Sequence, residues 1–178
     1  RSVDLARKIR AVIFDVDGVV FPATVSEGQK QKTKIRSYND GQGISLLRDI
    51  GLQIVFITGE NGADTKPIED AIKKWNSLPS ATKIGGWEPL KLYAGCSGIS
   101  KVTAAEKWLS ENDLSFEECV LMGDDLNDVP LLKRVGFPAA PNQAEEEIKD
   151  LALFISPRNG GEGAIRDLAN LILASRYI

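Results

Sequence analysis

Two aspartates set two positions apart, Asp15 and Asp17, close the apolar run Ala11-Val-Ile-Phe and lead straight into Gly18. Side chains alternate along a strand, so the pair shares one face where the strand continues, and Gly18 permits the sharp turn that must follow. In a parallel α/β sheet, ligands collect at the carboxyl edge of the strands, so acids at such an edge make a site. Three further pieces fall at equivalent places: Thr58-Gly59 after a run rich in β-branched residues, Lys101 behind a loop carrying Gly98, and Gly123-Asp124-Asp125-Leu-Asn-Asp128 after Cys119-Val-Leu-Met. Carboxylates, a hydroxyl and an ammonium are the groups phosphoryl transfer requires, because the reacting phosphate carries negative charge that a site must offset. One Asp-x-Asp pair is weak evidence alone; the ordered set is strong. Histidine is absent, which removes imidazole-dependent serine and cysteine hydrolases and histidine-ligated zinc. Proton transfer therefore falls to carboxylates, lysine or tyrosine.

The elements that must position these groups alternate between strand and helix. Residues 2–8 read as a short leader and 9–15 as a first, central strand. Alternation around Gly28 in residues 21–38 predicts a small β-hairpin flap. It sets Lys30, Lys32, Lys34 and Arg36 on one face, either as a charged edge or as an anion-attracting cover over the site. Asp40-Gly-Gln-Gly43 reads as a turn, followed by helix 44–49 and strand 52–57. Helix 65–76, an irregular stretch around Pro79, strand 91–94 and a helix over 101–112 capped by Ser100 come next. Strand 119–122, helix 129–134, strand 136–140, helix 143–150, strand 152–155, a glycine-rich turn at 159–163 and a helix over 164–175 follow. Strands joined by helical crossovers predict an α/β, three-layer Rossmann-like fold with a mainly parallel sheet, in one domain over residues 1–178 with no separate cap domain.

Composition narrows the class. A chain of 178 residues with 43% hydrophobic content holds a real core, and a net charge of −3 argues against nucleic acid as a partner. No apolar run reaches the roughly 18 residues of a membrane helix. Two cysteines, Cys96 and Cys119, lack metal-site spacing and read as reduced thiols in a cytoplasmic protein.

The set Asp15-Val-Asp17-Gly-Val, Thr58-Gly59, Lys101 and Gly123-Asp124-Asp125-Leu-Asn-Asp128 resembles the four motifs of the haloacid dehalogenase superfamily. Within it, the stretches from Asn39 to Ile44, from Lys133 to Gly136 and from Gly160 to Arg166 resemble 3-deoxy-D-manno-octulosonate (KDO) 8-phosphate phosphatases. The resemblance extends to the phosphatase-like domain of sialic acid cytidylyltransferases. It implies a Mg²⁺-dependent phosphomonoesterase acting on a KDO 8-phosphate-like sugar acid, a homotetramer, and an aspartyl-phosphate intermediate. The alternatives are a nine-carbon 9-phosphate or other sugar phosphate as substrate, or a non-catalytic assembly domain. Asp15 would be nucleophile and metal ligand. Asp17 would be the general acid–base and would lend its backbone carbonyl to the metal, and Asp124 would be a third ligand. Thr58, Gly59, Lys101 and, from the tail, Arg166 would bind substrate, while Asp125 and Asp128 would support Lys101 or metal-bound water. Physical chemistry concurs on the metal: crowded carboxylates demand a cation, and oxygen donors select a hard one. The sequence departs from the bacterial phosphatases at Glu60 and Glu162, where arginines are usual. Its segment 66–100, with Trp75 and Trp87, is longer than usual and is either surface decoration or part of the substrate rim.

Overall fold

The computed structural model describes residues 2–28 and 32–177. At its centre lies β1 (Ala11–Phe14), flanked by β2 (Gln53–Ile57) and β4 (Cys119–Met122), with Phe14 in register with both Phe56 and Met122. β3 (Lys91–Tyr93) extends the sheet beyond β2; β5 (Phe137–Ala140) and β6 (Phe154–Ile155) extend it beyond β4. The order is β3-β2-β1-β4-β5-β6 and every pairing is parallel.

A sheet buried on both faces needs apolar side chains at every position, and β1 and β4 are buried throughout. Alternation splits them between two cores. Val12, Phe14, Phe56, Val120 and Met122 face α1 (Ser2–Arg7), α2 (Tyr38–Asp49), α3 (Lys66–Asn76) and α8 (Ala164–Arg176). Ala11, Ile13, Val55 and Leu121 face α5 (Ile99–Glu111), α6 (Val129–Leu132) and α7 (Glu146–Leu151). Each large apolar side chain so buried contributes about 1.5–3 kcal/mol. The three-layer α/β expectation is met, with strand and helix ends shifted by one to three residues in most elements.

Several local expectations are corrected. The leader is the helix α1. Residues 40–43 are not a turn: α2 starts at Tyr38, where Ser37 Oγ accepts the Asn39 N–H at 3.1 Å. Its glycines serve packing, since a Cβ at Gly43 would lie 3.1 Å from the Arg166 Cα of α8. Ser100 does not cap α5, which starts behind Gly98; its hydroxyl exchanges hydrogen bonds with the backbone of Ser97. The irregular stretch at Pro79 holds a short helix, α4 (Pro79–Thr82). Among the described residues the flap has no regular hairpin ladder, only one antiparallel bridge between Ser26 and Thr33. Lys30 lies outside the described residues. Trp75 and Trp87 both serve packing: Trp75 is buried and stacked on Phe56, and Trp87 donates to Asp49 at 2.9 Å beneath the Arg48 guanidinium.

Candidate active site

Behind β1 the chain folds back so tightly that the Val16 carbonyl accepts N–H bonds from Val19, Val20 and Phe21. Gly18 sits at φ +82°, and a Cβ there would overlap the Asp124 carboxylate. Glycine is thus required twice at this position, for backbone conformation and for the approach of the fourth motif. A distant part of the chain secures the turn. Gln143 donates to the Gly18 carbonyl at 2.7 Å and accepts the Gly160 N–H at 2.8 Å, while the Gly161 N–H reaches the Val19 carbonyl. The glycine-rich turn therefore braces the first motif of its own chain. Gln143 carried no motif signal in the sequence.

Asp15 leaves the sheet with its N–H on the Met122 carbonyl and its side chain almost fully buried. Lys101, from the first turn of α5, donates to Asp15 Oδ1 at 2.8 Å and to Asp128 Oδ1 at 2.6 Å. Asp128 Oδ2 in turn accepts the backbone N–H groups of Asp124 and Asp125, at 3.0 and 3.4 Å. Asp128 is thus saturated by internal donors and shapes the loop behind β4, whereas Asp124 projects toward Asp15. Asp125 is exposed and caps the single turn that follows, accepting the Leu126 N–H. The Gly98 N–H donates to the Asn127 carbonyl, which ties the start of α5 to the same loop.

Thr58 is buried at the end of β2, bonded through its backbone to Tyr93 and Cys96, and its hydroxyl oxygen accepts the Glu60 N–H at 3.1 Å. Glu60 faces the flap: Lys34 donates to it at 2.7 Å and to Asp17 Oδ1 at 2.5 Å, and Lys32 links Glu60 to Asp64. Asp15, Asp17, Thr58, Gly59, Glu60, Asp124, Asp125 and Asn127 line one cavity of about 310 Å³. Asn127 was not singled out from sequence, yet its Oδ1 is buried and has no hydrogen-bond partner among the described residues. Arg166 is not brought here. It lies on α8, its backbone N–H on Asp40 and its guanidinium on Asn170.

Electrostatics follow from burial. Burial and the adjacent Asp128 charge push the Asp15 carboxyl well above its ordinary range, against the opposing pull of Lys101. Burial and Asp128 raise Asp124 to about 6. Burial also raises Asp17, opposed by Lys34. Desolvation alone would lower Lys101, but Asp15 and Asp128 outweigh it and hold the ammonium charged. Carboxylate oxygens of Asp15, Asp124 and Asp128 lie within 4.8 Å of one another. With Asp128 taken up by Lys101 and two backbone N–H groups, Asp15 and Asp124 are the side-chain donors of this cluster left for a hard divalent ion.

A family model of haloacid dehalogenase-like hydrolases matches residues 6–167. The chain belongs to the haloacid dehalogenase-like hydrolases. This haloacid dehalogenase-like hydrolase is 30% identical, over 98% of its length and 84% of the relative's, to the 3-deoxy-D-manno-octulosonate 8-phosphate phosphatase of Yersinia pestis. A crystal structure of the Yersinia pestis phosphatase superposes with a TM-score of 0.85 at 28% identity, covering 99% of this chain and 86% of that one. The Moraxella catarrhalis phosphatase, crystallised with a magnesium ion, a phosphate ion and KDO, shares the fold with a TM-score of 0.85 at 22% identity, over 99% of this chain and 92% of that one. Like these relatives, the haloacid dehalogenase-like hydrolase described here is a phosphoric monoester hydrolase.

Proposed function

We propose that the chain hydrolyses the phosphate ester of a 3-deoxy-2-keto sugar acid, of the KDO 8-phosphate kind, through an aspartyl-phosphate on Asp15. The observation that carries this reading is the buried Lys101 bridge: it fixes one Asp15 oxygen at 2.8 Å while the same carboxylate lines the cavity beside Thr58 and Asp17. A carboxylate so held is oriented for in-line attack on phosphorus.

The donor set fits Mg²⁺, with Asp15, the Asp17 backbone carbonyl and Asp124 as the residues that would hold it. When bound, the ion supplies positive charge to the phosphoryl oxygens and orients the ester. The chain's own groups do the rest. Asp15 attacks phosphorus as the ester P–O bond breaks, and Asp17, protonated more readily because it is buried, gives its proton to the departing sugar oxygen. Asp17 then takes a proton from water, whose oxygen attacks phosphorus, releasing inorganic phosphate and restoring Asp15. The Thr58 hydroxyl and the Gly59 backbone hold phosphoryl oxygens, and Lys101 balances charge on Asp15 and phosphate together.

Glu60 favours a second reading of the substrate. It binds Lys34 and Lys32 where the bacterial phosphatases usually have an arginine, so a nine-carbon 9-phosphate or another sugar phosphate would meet a different rim. A non-catalytic assembly domain is disfavoured by the complete Asp15, Asp17, Lys101 and Asp124 set. We further propose one domain over residues 1–178, a cytoplasmic setting and a homotetramer. Both cysteines are free, and Val25, Ile35 and Tyr38 expose apolar surface on and beside the flap. Among the described residues, no helix is long and apolar enough to cross a membrane.

Phosphate release from a sugar-phosphate panel with and without Mg²⁺ tests the reading. Asp15→Asn should lower turnover by about a thousandfold or more, since an amide is no nucleophile. Substantial turnover in that variant would overturn the assignment of Asp15.

A further inference from the structure

Lys34 is a wall between two cavities. Its ammonium touches Asp17 and Glu60, which line the catalytic cavity, and the same side chain lines a second cavity of about 340 Å³ between the flap and α3. The second cavity is markedly cationic: Lys32, Lys34, Arg36, Lys66 and Lys74 line it, against a single carboxylate, Asp70.

Three of these five cations are already committed. Lys32 pairs with Glu60 and Asp64, Lys34 with Asp17 and Glu60, and Lys66 with Asp70 on the next turn of α3. Arg36 and Lys74 have no carboxylate partner among the described residues. Arg36 is nonetheless held in place. Its guanidinium carbon lies 5.1 Å from the Trp75 ring centre, and Trp75 is itself buried and stacked on Phe56 of β2 at 5.9 Å. An aromatic face under a guanidinium fixes its plane and leaves its N–H edge for an oxygen acceptor. The chain Phe56, Trp75, Arg36 is thus a support reaching from the central sheet to a half-exposed fork of donors. Such preorganisation lowers the ordering cost of binding.

We propose that this cavity is a second anion subsite, in which Arg36 and Lys74 receive the carboxylate of the substrate while its phosphate lies at Asp15. The proposal rests on the phosphatase reading above and deepens it: the substrate carries two anionic groups, and Lys34 lies between the places they occupy. The Arg36 fork accepts a carboxylate in the bidentate manner, and Lys74, exposed at the cavity mouth, adds charge.

The test compares eight- and nine-carbon sugar-acid phosphates (KDO 8-phosphate and N-acetylneuraminate 9-phosphate) with mannose 6-phosphate, in wild type, Arg36→Gln and Lys74→Gln. Wild type should prefer an acid-bearing ester. Each variant should raise KM for that ester, by about tenfold for Arg36→Gln and less for Lys74→Gln, with kcat kept within about twofold, the signature of lost binding common to ground and transition states. Free KDO or N-acetylneuraminate should inhibit wild type competitively and the Arg36 variant far more weakly; purely non-competitive inhibition would assign the anion to a separate effector and overturn the proposal. Lys74 is exposed, so its variant reports on the subsite even where Arg36→Gln is unstable. Unchanged KM in Lys74→Gln and in folded Arg36→Gln, or a wild-type preference for mannose 6-phosphate, would overturn the subsite and leave the phosphatase reading intact. Absence of turnover on every ester would overturn both.

Discussion

Lys101 and Lys34 perform the same electrostatic task in two very different settings. Each ammonium bridges two carboxylates at the mouth of the sheet, and the two side chains are almost equally hidden, at 1% and 2% exposure. Lys101 springs from a thirteen-residue helix packed on β2, and its acids come from the ends of β1 and β4. Lys34 stands on a flap that holds itself together by the Ser26–Thr33 bridge, and its acids, Asp17 and Glu60, line the open cavity. Ion pairing thus gives equal burial without equal rigidity. Elements with few backbone bonds and few apolar contacts open at low free-energy cost, whatever their charges do. The first bridge orients the proposed nucleophile; the second closes one rim of the cavity.

Removing one bridge at a time should expose that difference. Lys101→Met leaves Asp15 and Asp128 facing each other in the interior. Breaking a buried pair in this way should cost about 3–5 kcal/mol of stability. Turnover should fall by about a hundredfold or more, as when one charge-stabilising donor is lost from an active site. Chemical denaturation and phosphate release would measure both, and a variant as stable and active as wild type would erase the contrast.

A middle-sized effect is expected from Asp124, whose carboxyl is raised to about 6 from an ordinary 3.8. An acid raised on folding holds its proton more tightly in the native state. Its contribution to the metal-free protein therefore grows as pH falls from above 6 toward 4, is complete below the unfolded value, and is lost as pH rises through 6. Asp124→Asn should lack this component, so the stability difference between the two proteins should change sharply across that window. Magnesium affinity should run the opposite way, falling about tenfold per unit below pH 6 as protons compete for the ligand. A flat affinity from pH 7 to 5, followed by calorimetric titration, would remove Asp124 from the metal set.

The smallest change belongs to Glu60→Gln, which weakens the Lys34 and Lys32 contacts at the partly exposed rim. Stability should shift by no more than about 1 kcal/mol. Hydrogen exchange in residues 24–28 and 32–36 should quicken, with kcat/KM altered only a few-fold. A loss of activity as large as that of Lys101→Met would place both bridges in one rigid unit.

How much of this was legible beforehand follows from where each signal resides. Strands β1 and β4 announce themselves because both their faces are buried, which forces unbroken apolar runs, and the acids were visible because they interrupt such runs. The start of α2 was hidden, since Gly41 and Gly43 look like turn residues until α8 is seen lying against Gly43. Gln143 was invisible for a related reason: its two hydrogen bonds join backbone groups far apart in the chain, and no local pattern marks a residue with that task. The pairing of Lys34 with Asp17 and Glu60 likewise depends on how the flap folds over, which alternation alone predicted as a hairpin. Arg166, which the resemblance placed among the substrate-binding residues through its tail, faces Asn170 and lies outside the cavity of its own chain.

The hook between Gly160 and Gly18 has a consequence for biosynthesis. A Cβ at Gly160 would stand 1.8 Å from the Gly18 carbonyl oxygen, so the two strands of backbone touch with no side chain between them. A ribosome releases Asp15 and Asp17 well before Gly160 and Gly161, whose contacts set the curvature of that loop. Competence should therefore appear only once this turn has emerged and docked, and a nick at the hook should silence the enzyme while leaving every acid of the cavity in place.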